Sequence, residues 1–131
     1  MSTVTQKNKQ VLKHVFEAVN KGDISQMKKE LAEILTPDYV LHGSSNPNLQ
    51  PGRDNYIEFF DQDSKNFGEF QFIVEDMFGF EDKVVTRGFF SSVELKSHEK
   101  TTMAVIVISR FEHGKIAEEW QVMAPVTSSS G

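Results

Sequence analysis

The chain contains no cysteine, which excludes a disulfide framework, a thiolate zinc site and a cysteine nucleophile. It has no basic excess: 14 Lys and Arg face 19 Asp and Glu, a formal net charge of −5. Without a basic cluster, neither nucleic acid nor an anionic membrane is expected as the main partner. No apolar run reaches membrane-spanning length and residues 1–8 hold no apolar signal core, so a cytoplasmic protein is expected. There is no Gly-rich phosphate loop and no serine nucleophile elbow. His14, His42, His98 and His113 show no metal-ligand spacing, so neither a metal nor another cofactor is expected.

Phenylalanine is plentiful, with eleven in 131 residues. Rings in that number either fill a core or line a cavity. The length fits one domain, placed over residues 1–126, with Ser and Gly of 127–131 read as a flexible tail.

The first half has helical spacing. Val11, Leu12, Val15, Phe16 and Val19 recur at i, i+3 and i+4, and Asn20-Lys21-Gly22 ends the pattern. Asp23 followed by Gln26 has the form of a capping box opening a second helix over about 24–35, which buries Met27, Leu31, Ile34 and Leu35 and stops before Pro37. Tyr39 to His42 is a short strand candidate. A loop rich in Ser, Asn and Pro leads to a third helix over about 53–66, with Tyr56, Phe59, Phe60 and Phe67 close to one stripe. Four strands are expected after Gly68, at about 70–79, 83–95, 101–111 and 115–123. Helices first and a meander afterwards give an α+β class in the order α-α-β-α-β-β-β-β.

The last hairpin is the most informative segment. A three-residue loop, Glu112-His113-Gly114, asks only Gly114 to be left-handed, whereas a two-residue loop would force His113 to positive φ. The three-residue loop pairs Phe111 with Lys115, Val107 with Glu119 and Val105 with Gln121. Val105, Val107, Glu119 and Gln121 then share one face; Ile106, Ile108, Ile116 and Trp120 share the other. Two apolar faces on one antiparallel sheet call for a cavity on one side and a cover on the other. A homodimer through Ile106, Ile108, Ile116 and Trp120 supplies that cover.

Three segments carry a family resemblance: Pro37-Asp38-Tyr39-Val40-Leu41-His42-Gly43, then Pro51-Gly52-Arg53-Asp54, then Arg110 through Trp120 with its Gly114-Lys115-Ile116 turn. Together with the element order, they resemble the SnoaL-like polyketide cyclase family, within the nuclear transport factor two-like (cystatin-like α+β) superfamily. The resemblance spans about residues 8–123. It implies a cone, in which a curved antiparallel sheet wraps three N-terminal helices around a cavity open at one end, with subunits pairing through the outer sheet face. It also implies an acid/base Asp on the last strand directly after Trp120, where this chain has Gln121, and polar groups where it has Val105 and Val107. Glutamine exchanges no proton near neutral pH, so that role does not carry across.

Glu119 shares a face with Gln121, and a carboxylate beside Val107 in a partly dry cavity has a raised pKa suited to proton transfer. His42, at the end of the short strand, is the second titratable candidate, with Glu119 or Gln121 as its partner. Phe16, Tyr56, Phe60 and Phe72 are candidate walls for a small apolar or aromatic ligand. Arg87, alternating with Val85 and Phe89, suits an anionic ligand or a salt bridge. The resulting expectation is a small-molecule-binding protein with isomerase, cyclase or hydrolase-type proton transfer. The alternative is a non-catalytic dimeric module whose cavity is filled by its own Phe and Met side chains.

Overall fold

The computed structural model describes residues 3–44 and 46–126. The expected tail, 127–131, lies outside them. Three helices, α1 (Thr3–Lys21), α2 (Ile24–Ile34) and α3 (Arg53–Asp63), pack on one five-stranded sheet. Its strands are β1 (Leu35–His42), β2 (Phe67–Phe80), β3 (Lys83–Glu94), β4 (Lys100–Glu112) and β5 (Lys115–Pro125), in the order β1-β5-β4-β3-β2. The α+β class and the element order are those expected, and the sheet is curved and unclosed, as in a cone. The four long strands form an antiparallel meander, while the short β1 joins its open edge parallel to β5.

Local chemistry explains the helix ends. Gly22 is left-handed, at φ 73°, and releases the chain from α1. Asp23 then caps α2 by accepting the Gln26 N–H at 3.0 Å. The helix stops at Ile34 because Leu35 is already extended and begins β1, so Leu35 enters the core from the strand. α3 ends at Asp63, and Phe67, expected on that helix, starts β2 instead. Asn20 fastens the end of α1 to β2: its amide accepts from Phe72 N–H at 2.6 Å and donates to Phe72 C=O at 3.1 Å. Leu12, Leu35, Tyr39, Val84, Phe111 and Ile116 form one buried core cluster between helices and sheet.

The last turn differs from the expected one. Glu112 pairs with Lys115 across a two-residue loop, with His113 at φ 51° and Gly114 at φ 80°. Two left-handed residues match the twist of the flanking strands, and this outweighs the local cost at His113. One residue further on, Arg110 pairs with Glu118 while Phe111 pairs with Ile116, so Ala117 is an extra residue on β5. Beyond this bulge Val107 lies opposite Gln121, Val105 opposite Met123 and Ser109 opposite Glu119. The expected partners were thus two positions off. Ile116 is also corrected: the bulge turns it inward beside Phe111, where it is 2% exposed, so it cannot belong to an outer interface.

Candidate functional site

The concave face of the sheet and the three helices leave a cavity of about 230 Å³ between them. Each wall follows from the periodicity of its element. Leu12, Val15, Phe16 and Val19 supply the α1 side, and Tyr56, Phe59, Phe60 and Asp63 the α3 side. The sheet contributes alternate residues: Phe70 and Phe72 from β2, Phe90 from β3, Val105 and Val107 from β4, and Glu119, Gln121 and Met123 from β5. Phe16 stacks on Phe72 with ring centroids 4.2 Å apart, and Phe60, Phe70 and Phe90 make a second series at 6.0 and 5.9 Å.

Few polar groups interrupt this apolar lining. Glu119 is the most firmly positioned: Tyr39 Oη donates to its Oε1 at 2.6 Å and Ser109 Oγ to its Oε2 at 2.5 Å. Burial pushes the Glu119 carboxyl above its ordinary range, and the hydroxyls of Ser109 and Tyr39 pull it partly back. Burial, followed by the nearby Glu119 charge, holds both the Tyr39 and Tyr56 phenols above their usual value. Asp63 is also raised, by burial. The other polar lining residues are Ser44 and Gln121.

Glu119, Gln121, Phe16, Tyr56, Phe60, Phe72, Val105 and Val107 therefore surround one space. His42 does not. In the parallel pairing of β1 with β5, Leu41 lies beside Glu119 and His42 beside Trp120, one residue out of phase with the cavity. His42 stacks on the Trp120 ring at 5.4 Å and its Nε2 meets Glu118 Oε2 at 2.6 Å, on the outer face. Glu118, also bonded to Arg110 at 3.2 Å, is held below its ordinary range, first by the His42 hydrogen bond. His42 and Glu119 thus stand on opposite sides of the sheet and form no acid/base pair. Arg87 is engaged by Asp76 at 2.8 Å through Nε. Among the described residues, no group of three His, Asp or Glu side chains could hold a metal ion.

Three further polar groups, Tyr39, Ser109 and Asp63, were missed as candidates. Tyr39 and Ser109 reach Glu119 from 80 and 10 residues away, a convergence no local pattern records. Asp63 had a signal, since it follows Tyr56, Phe59 and Phe60 at seven, four and three residues on one helix face.

The family model of the SnoaL-like polyketide cyclase matches residues 9–128. The chain belongs to the SnoaL-like polyketide cyclase family. Solved structures agree on the fold. TsrD from Streptomyces laurentii superposes with a TM-score of 0.74 at 22% identity, over 94% of this chain and 90% of that one. A SnoaL-like polyketide cyclase from Agrobacterium tumefaciens gives 0.71 at 17%, over 95% and 93%. An NTF2-like protein of unknown function from Burkholderia pseudomallei gives 0.75 at 18%, over 95% and 92%. A search of curated proteins gives no match. Within the SnoaL-like frame, Gln121 occupies the cavity position at which the resemblance implies an Asp, and the only carboxylate on that strand facing the cavity is Glu119.

Proposed function

We propose that the cavity binds a small apolar or aromatic molecule and that Glu119 exchanges a proton with it. The observation that carries this reading is a carboxylate in an apolar wall whose bonds, to Ser109 and Tyr39, are all to neutral hydroxyls. Each Glu119 oxygen keeps a further lone pair, so an oriented carboxylate remains available as a base. The reaction that suits it is removal of a proton from carbon next to a carbonyl. The C–H bond breaks, the proton passes to Glu119, and the electron pair moves to the carbonyl oxygen. Gln121, two residues along the same face and about 7 Å away by strand geometry, offers an amide N–H to that oxygen. Return of the proton to a different carbon makes the step an isomerisation. Attack by the carbanion on a second carbonyl makes it a cyclisation.

The test uses β-tetralone, a small aromatic ketone, in deuterated buffer. Solvent deuterium is expected to enter the position next to the carbonyl. Glu119→Gln is expected to slow this at least about a hundredfold, the usual worth of a positioned base. Equal exchange by wild type and E119Q, or unchanged ketone affinity in E119L/Q121L, would sink the proposal. A self-filled module is less well supported, because about 230 Å³ stays open among the Phe and Met side chains.

A homodimer through the outer face is the companion proposal. Ile106 is 47% exposed there, beside Ile108 and Trp120, and Val122 at 70% takes the place that Ile116 does not fill. Light scattering should give twice the chain mass, and Ile106→Glu should halve it; a monomeric wild type at micromolar concentration refutes pairing. A cytoplasmic site of action is also proposed for this hydrophilic chain, whose mean hydropathy is −0.39. Cell fractionation placing the protein elsewhere would overturn that. No helix among the described residues is long and apolar enough to cross a membrane.

A further inference from the structure

The ionisable side chains lining the cavity are Asp63, Glu119 and Tyr56; no Lys, Arg or His is among the lining residues. A ligand carboxylate entering this space would meet two acids and no counter-ion, whereas a cation would meet two attractive charges at once. The two acids are not equivalent. Glu119 is occupied by Ser109 and Tyr39. Among the described residues, the side chains of Asp63, Tyr56 and Gln121 make no hydrogen bond, although all three line the cavity. Lys28 of α2 pairs with Asp61 of α3 at 2.9 Å, and neither residue lines the cavity.

Asp63 is only part-buried, so its carboxyl, set beside an apolar wall and without a protein donor among the described residues, is open to a cationic partner from the cavity. The surroundings of Asp63 indicate the partner. Tyr56, Phe59 and Phe60 share its helix face, and the Phe60, Phe70 and Phe90 rings continue the wall. Ring faces carry negative electrostatic potential and attract ammonium groups, while their area suits an aromatic body. Burial holds Asp63 above its ordinary range, and an ammonium beside it would lower it again.

Resting on the reading of this cavity as a small-molecule site, we propose that its ligand is an arylalkylamine whose ammonium group is received by the Asp63 carboxylate among the rings of α3. Asp63 then selects the ligand by charge, at the end of the cavity formed by α3, while Glu119 and Gln121 face the rest of the molecule from β5. Carboxylic-acid ligands of the same shape are rejected.

Three probes of one shape separate charge from fit: phenethylamine, phenethyl alcohol and phenylacetate, with affinities from NMR titration. The amine is expected to bind at least tenfold more tightly than the alcohol, and phenylacetate more weakly than either. Asp63→Asn should bring amine and alcohol within about threefold of each other by weakening the amine alone. Thermal unfolding checks that D63N is folded, and Glu119→Gln, which should keep much of the amine preference, serves as the second variant. Equal binding of amine and alcohol by wild type, or an amine preference that survives D63N, overturns the role of Asp63 while leaving the small-molecule cavity standing. Loss of the preference in E119Q but not in D63N overturns it as well. If no probe binds, the proposal falls together with the cavity reading.

Discussion

Replacing Ser109 by Ala removes one hydroxyl from Glu119 and changes little else, because Ser109 is fully buried on β4 directly opposite Glu119. A hydrogen bond to a charged group contributes about 1.5–3 kcal/mol. Its loss should therefore raise the Glu119 pKa further above its ordinary range. Tyr39→Phe should move it in the same direction by less, since Ser109 makes the larger of the two opposing contributions. The assay is an NMR titration of the Glu119 side-chain carboxyl carbon in wild type and both variants.

Stability provides an independent check on the same group. Burial leaves Glu119 with a higher pKa folded than its ordinary 4.5. Between that value and the folded one, the native state binds more protons than the unfolded state. Its stabilising contribution is therefore complete below about 4.5 and is lost as pH rises through the folded pKa. In S109A this decline should extend to higher pH, so the variant loses more stability at neutral pH than near pH 4. A titration midpoint that is unchanged or lowered, or a destabilisation equal at both pH values, would refute this electrostatic account of Glu119.

Two further perturbations test the frame of the site. Gly43 lies at φ +85°, and a Cβ there would stand 2.0 Å from the Gln121 carbonyl oxygen, so Gly43→Ala should cost about 3 kcal/mol from strain and overlap together. Denaturant unfolding measures it, and a midpoint equal to wild type would show that β1 does not run that close to β5. Thr86 is fully buried with its hydroxyl unpartnered among the described residues, so Thr86→Val should be neutral or add about 1 kcal/mol. A clear loss in calorimetry would mean that the hydroxyl has a partner.

The fold was legible because its evidence is repetitive. Helical spacing recurs through α1, and four long strand-like segments follow one another after α3. The hairpin shows how far such evidence reaches. The expected register beyond the bulge was wrong by two residues, an even number, so Val105, Val107, Glu119 and Gln121 still share the inner face. Nearer the turn, the extra residue at Ala117 makes the offset odd, and there Ile116 changes sides. His42 was misplaced for a related reason. Tyr39, Val40, Leu41 and His42 do not alternate between apolar and polar, so only pairing with β5 determines which of them faces inward. The chemistry of the site lies at a further remove, in contacts between elements. Tyr39 reaching Glu119 across 80 residues, and Asp63 receiving no donor among the described residues, distinguish two carboxyl groups that sequence presents as alike. Where the family resemblance implies a single Asp after Trp120, this chain has a positioned Glu one residue before that Trp and an unpaired Asp on the opposing helix. In the proposed function, proton exchange and charge recognition belong to different walls of one cavity, and each should be removable by substitution without loss of the other.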